Sequence, residues 1–236
     1  MRTTILIILA VVTSIHSHLA AQEPDYLAIM DKALYIEYAE ARMEVYKNDK
    51  LEKYYTMEFY RKDMKMRMEF LEPAVEKGRR MLNDENNMWM YLPRTSKVMK
   101  LPLKQAFMGS DASNRDLMRI AFSQDYDLAG IRPVDGNTLE LELKAKDLSV
   151  SYNRVLILYD KGRNVPVRQE MYSLSGKLIK TLEYGYAQAA DGTSYAAELI
   201  IRDELLKNTL TKMYYTKVKR SNNKPSVYFT LGSLKQ

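Results

Sequence analysis

The chain has 236 residues, with 36 Lys and Arg against 30 Asp and Glu, a formal net charge of +6, 2 His and no Cys. Without cysteine it can form no disulfide and carry no lipid on an N-terminal thiol. Both histidines, His16 and His18, fall in the first 21 residues, so a chain lacking that stretch has no Ser-His-Asp triad, Cys-His pair or His/Cys zinc site.

That stretch opens with Arg2, runs through an apolar core over residues 5–15 broken only by Thr13 and Ser14, and ends in Ala20 and Ala21 before Gln22. The order is that of a secretory signal peptide over residues 1–21, cleaved near Ala21. The core is shorter than the ~20 apolar residues that span a bilayer. Removal takes away Arg2 alone among the charges and leaves roughly 215 residues, suited to one domain over 22–236. Outside the cytoplasm the remaining positive charge suits anionic lipid headgroups or an acidic partner rather than nucleic acid.

Residues 24–38 read as a helix, with Pro24 in its first turn and Leu27, Met30, Leu34 and Tyr38 at three- and four-residue steps. The period then becomes two. Ala41, Met43 and Val45 alternate with Arg42 and Glu44; Tyr55, Met57 and Phe59 with Thr56 and Glu58; Met64, Met66, Met68 and Phe70 with Lys65, Arg67 and Glu69. Such alternation predicts antiparallel strands with one buried and one solvated face, the latter carrying Lys65, Arg67 and Glu69. Short strands follow over 79–82, 88–92 and 97–101. The period turns helical again from Gly109 to about Gln124, with Leu117, Ile120 and Ala121 on one face. Later strands fall at 139–143, 155–159, 165–172, 178–186, 194–201 and 209–218, separated by turn signals such as Asp135-Gly136 and Ser175-Gly176. The count is about ten or eleven strands, a mainly β (α+β) chain forming a curved, partly closed sheet whose concave side a helix covers.

The chain has 15 Met. Their flexible, polarizable side chains fill cores, and they also suit ligands of loose shape such as acyl chains. One helix is too little to fill the concave side of so large a sheet, so an apolar cavity is expected there. Its candidate lining is Met43, Val45, Met57, Phe59, Met64, Met66, Met68 and Phe70. Trp89 and Tyr91 are added because they share one strand face, opposite Met88 and Met90.

Several motifs stand in a fixed order: Phe70-Leu71-Glu72-Pro73, Lys77-Gly78, Met81-Leu82, Met88-Trp89-Met90-Tyr91-Leu92-Pro93, Lys97-Val98, Met108-Gly109-Ser110-Asp111 and Asp116-Leu117. This order resembles the outer-membrane lipoprotein-sorting family of the LolA/LolB-like superfamily. The resemblance covers about fifty residues, and the leader, first helix and strand succession agree with it. It implies a half-open antiparallel β-barrel with a helical lid over an apolar cavity, and a carrier that takes lipid-modified partners from an inner-membrane machine through the periplasm. Where the family has an aromatic and an acidic residue after Gly-Ser-Asp, this chain has Ala112 and Arg115, so lid contacts do not carry over in detail. Ser110, Asp111, Ser113 and Asp116 mark the start of the lid helix. Ser113 with Asp116 also reads as a variant capping box, and Gly78 and Gly109 as turns needing unusual backbone angles.

Neither a Walker-type phosphate loop nor a dinucleotide Gly-x-Gly-x-x-Gly motif occurs, and no cofactor or metal is expected. The function expected is a non-enzymatic periplasmic carrier of lipoprotein acyl chains or another lipid, partnered by an inner-membrane release or export complex. A lipid-binding accessory of an inner-membrane exporter is the alternative. A carboxylate-dependent glycan hydrolase is the alternative of another class, since Asp and Glu are plentiful, and a structural envelope scaffold is a further one.

Overall fold

The computed structural model describes residues 23–85, 87–118, 121–189 and 192–235. The leader expected over 1–21, and Ile120 of the expected lid face, lie outside the described residues. Helix α1 (Tyr26–Leu34) starts at Asp25, whose carboxylate accepts a hydrogen bond from the Ala28 amide at 3.0 Å. Its buried residues Leu27, Met30 and Leu34 share one face because they recur at helical spacing. The helix is shorter than the 24–38 reading. Arg220 donates to the Lys32 and Tyr35 carbonyls and ends it, and Tyr38 instead opens the first strand.

The strands form one antiparallel sheet. Its first half is β1 (Tyr38–Lys47), β2 (Lys50–Lys62), β3 (Lys65–Glu72), β4 (Arg80–Asn83), β5 (Met88–Leu92) and β6 (Lys97–Leu101). Its second half is β7 (Tyr126–Pro133), β8 (Thr138–Ala145), β9 (Arg154–Asp160), β10 (Val165–Tyr172), β11 (Leu178–Gln188), β12 (Ser194–Asp203) and β13 (Thr209–Lys219). The spatial order is β6-β5-β4-β3-β2-β1-β13-β12-β11-β10-β9-β8-β7, so β1 and β13 meet in the middle. Strands β6 and β7 are the free edges, and the sheet is a curved, half-open barrel rather than a closed one.

Thirteen strands form where the count was about ten or eleven, although the segments read one by one as strands number twelve. The strand missed altogether is β7, an edge strand whose exposed positions show no two-residue period; it shifts register at Leu128/Gly130 and ends on Pro133. Proline is tolerated on an edge because its missing N–H is not needed there.

The inner face is built by the alternation. Ala39, Ala41, Met43 and Val45 of β1 are buried, as are Tyr55, Met57, Phe59 and Arg61 of β2 and Met66, Met68 and Phe70 of β3. Across strands Met43 faces Met213, Phe59 faces Met68 and Arg61 faces Met66. The Asn48-Asp49 connection between β1 and β2 has φ of 50° and 59°, the paired left-handed geometry of a two-residue hairpin turn. Met64 is not a strand residue: Lys62 pairs with Lys65, leaving Asp63-Met64 as the turn.

The outer face of β3–β5 is covered as well. The C-terminal segment folds as two short 3₁₀ turns, Ser226–Phe229 and Leu231–Ser233. Phe229 and Leu234 pack with Leu82, and Trp89, Tyr91 and Val98 border them. Arg67, expected on the solvated face, is only 2% exposed there. Its guanidinium donates to the Tyr228 and Ser233 carbonyls and lies 4.1 Å from the Tyr228 ring centre.

Candidate functional site: a cavity beneath the lid

The chain reaches the far edge β7 from β6 through residues 102–125, and this crossover is the lid. The expected continuous helix is broken. A 3₁₀ turn at Phe107–Gly109 precedes α2 (Asn114–Met118), and α3 (Phe122–Asp125) follows. Met108 and Gly109 have positive φ, so the helix cannot begin at Gly109. It begins at Ser113, whose amide donates to Asp116 Oδ2 at 2.7 Å while the Asp116 amide donates to Ser113 Oγ at 3.3 Å. That reciprocal pair is a capping box with Asp in the acidic position.

Buried polar contacts hold the lid to the sheet. Asp111 is 3% exposed and accepts from the Thr209 and Thr211 hydroxyls of β13 at 2.5 and 2.7 Å. Asp116 pairs with Lys180 of β11 at 2.6 Å, both side chains being nearly inaccessible, and accepts from the Tyr152 hydroxyl at 3.0 Å. Burial first, then the Asp116 carboxylate, pushes the Tyr152 phenol far above its ordinary range, so Tyr152 stays a neutral donor. The lid pieces are also tied to one another. Arg115 of α2 reaches Asp125 of α3 at 2.7 Å. Asp31 of α1 accepts from the Phe122 and Ser123 amides at 2.7 and 3.0 Å.

Between the lid and the inner face lies a cavity of about 130 Å³. Phe59, Met66, Met68, Met171, Leu182, Leu199 and Met213 supply its sheet wall, and Leu34, Leu117, Ala121 and Phe122 its helical wall. A few polar groups interrupt the apolar lining. Gln169 donates to the Tyr184 hydroxyl at 2.5 Å, and Ser151 Oγ is buried with no hydrogen-bond partner among the described residues. Burial pushes the Tyr215 phenol up to about 12, the Arg61 guanidinium acting in the opposite direction. A wider recess of about 400 Å³, rimmed by charged side chains, adjoins the cavity on the α1 side, and Arg61 and Ala121 line both.

The expected lining residues therefore divide. Phe59, Met66 and Met68 line the cavity. Met43, Val45, Met57 and Phe70 belong to the same inner core but pack solidly outside the cavity wall. Met64 borders the outer recess from its turn. Trp89 and Tyr91 lie on the outer face under the C-terminal segment, because strand parity sends Met88 and Met90 inward instead. Ser110, Asp111, Ser113 and Asp116 are all at the lid entry, and Asp116 alone reaches the cavity. The sequence reading missed Arg61, Tyr152, Lys180 and Tyr184. For Arg61 a signal existed, since it continues the inward positions Tyr55, Met57 and Phe59.

No helix among the described residues is long and apolar enough to cross a membrane. No curated protein matches the chain by sequence. A family model described as that of an uncharacterized protein matches residues 62–236. Among solved structures, a LolA superfamily protein from Nitrosomonas europaea superposes with a TM-score of 0.75 at 25% identity, over 88% of this chain and 96% of that one. The chain belongs to the family whose model it matches, and its fold is LolA-like. A DUF1329 family protein from Desulfovibrio piger shares the LolA-like fold at a TM-score of 0.76 and 24% identity, covering 89% and 96% of the two chains. A domain named for outer membrane lipoprotein sorting, from Vibrio parahaemolyticus, does so at 0.72 and 20%, covering 84% and 91%. In this LolA-like fold the lid is anchored by Asp111 on two threonines and by Asp116 on Lys180.

Proposed function

We propose that this protein is a periplasmic carrier of acyl chains, exported by the leader at 1–21 and folded as one domain over 22–236. The observation that carries the reading is the mainly apolar cavity between the curved sheet and a lid held by a few buried polar contacts. Burial of an acyl chain against that wall stabilises the complex by about 0.8 kcal/mol per methylene. The cavity, at about 130 Å³, is close in size to engineered apolar cavities of about 150 Å³ that take one benzene. A longer chain therefore has to displace the lid, breaking the Asp116–Lys180 and Tyr152 contacts as it enters. Loading from an inner-membrane complex, and later release of the cargo, would act on those contacts.

The inner-face carboxylates support a carrier over a hydrolase. Asp111 is engaged by two hydroxyls and Asp116 by an ammonium and a phenol, so each is held as an anchor for the lid. An exporter accessory would use the same cavity with a different cargo.

A neutral fluorescent acyl ester tests the reading. Met66 Sδ lies 3.6 Å from the Arg61 guanidinium, so Met66→Glu places a carboxylate where it pairs with that cation and occupies the cavity wall. The variant is expected to keep its thermal midpoint and lose uptake of the ester. Wild-type protein that takes up no ester, at any concentration below the probe's own aggregation, contradicts the carrier reading.

A further inference from the structure

Arg61 stands in the wall common to the apolar cavity and the wider recess. It is 7% exposed, and among the described residues no carboxylate lies within ion-pair distance of it. Its side chain reaches Met66 Sδ at 3.6 Å and lies 5.8 Å from the Tyr35 ring centre. A thioether is a weak acceptor, and a guanidinium carries five donors. The other inward or covered arginines are provided for: Arg67 has the Tyr228 and Ser233 carbonyls, and Arg115 has Asp125. Burying a cation without a counter-charge in contact is expensive, and Arg61 is reached by neither carboxylate of the recess. Its Asp31 is engaged by the Phe122 and Ser123 amides, and its Asp63 is an exposed turn residue. Lys32 and Arg220 offset Asp31 and Asp63 in the same recess, so Arg61 is its excess positive charge.

Resting on the carrier reading above, we infer that Arg61 is an anion-recognition site, taking the headgroup of a single-chain amphiphile whose tail enters the apolar cavity. The headgroup is a carboxylate or a phosphate, both of which a planar guanidinium grips with two parallel hydrogen bonds. The recess admits the head from the α1 side, and the cavity beyond Arg61 and Ala121 receives the tail. One chain displaces less of the lid than several, which matches the small volume of about 130 Å³.

The test compares parinaric acid with its methyl ester on the full exported chain, in wild type and Arg61→Met, with thermal midpoints recorded for both. Wild type is expected to bind the acid about tenfold or more tightly than the ester. Arg61→Met is expected to bring that ratio to about one while the midpoint holds or rises, because replacing an unpaired buried charge with an apolar chain of similar volume is neutral or stabilising. Should Arg61→Met fail to fold, Arg61→Lys takes its place: it keeps the charge, loses the two-pronged grip, and lowers the ratio without removing it. Competition by free fatty acid against lysophosphatidic acid identifies the head, and stronger competition by either over neutral monoacylglycerol supports the site. Equal binding of acid and ester by wild type, a ratio that survives Arg61→Met, or equal competition by monoacylglycerol overturns the anion site and leaves the carrier reading standing. Uptake of neither probe by wild type overturns the carrier reading itself.

Discussion

Asp116 and Lys180 are a buried ion pair, 2.6 Å apart, with side-chain exposures of 4% and 5%. Removing one partner leaves the other charged and desolvated, and such losses cost about 3–5 kcal/mol. Asp116→Asn should therefore lower the urea midpoint strongly, and adding Lys180→Met should recover part of the loss. Additive losses in the double variant would show that the two charges do not act as a pair. Glu44 on the outer face is a milder case. Hydrogen bonds from Tyr46 and Arg42 hold its carboxyl below the ordinary value, so it contributes stability above the unfolded-state pKa and loses it as pH falls through the lowered one. The midpoint gap between wild type and Glu44→Gln should be present near neutral pH and close below about pH 4; a gap that widens in acid would contradict the assignment. The parity of β2 made Arg61 readable as an inward residue beside Met57 and Phe59. Its lack of a counter-ion was not readable, because that depends on which side chains the fold brings from α1, α3 and the 220 region.

Among the elements, those with a clean two-residue period were legible, since alternation follows directly from one buried and one solvated face. The lid was harder. Its helical period is real, but positive φ at Met108 and Gly109 and the anchoring of Asp111 on β13 postpone the helix to Asn114. The tie between α1 and α3 through Asp31 is long-range and left no local trace. Asp31→Ala removes the acceptor for the Phe122 and Ser123 amides, a capping loss of about 1 kcal/mol. Hydrogen exchange at those two amides should accelerate while that of β1 and β2 stays slow. Unchanged exchange at Phe122 would mean that α3 is held by something other than Asp31. Met57→Ala probes the solid part of the core: with Met57 fully buried, it should destabilise by about 2–5 kcal/mol and leave the acyl preference of the remaining folded protein unaltered.

The whole molecule is one sheet whose two ends of sequence, β1 and β13, meet at its centre and whose edges are bridged by the lid crossover. The half-open form was expected from the motif order around Trp89 and Gly109. Which face of β5 looks inward was not, because the C-terminal segment gives Trp89 and Tyr91 an apolar cover on the outside, and alternation alone is symmetric between two covered faces. On the carrier proposal, the space between sheet and lid receives an acyl chain. Photo-crosslinking with a diazirine-bearing fatty acid, followed by peptide mapping, tests it most directly. The predicted result is label on Phe59, Met66, Met68, Leu182, Leu199 and Met213; label confined to the outer face around Trp89 and Tyr228, or no label above the unirradiated control, would contradict it.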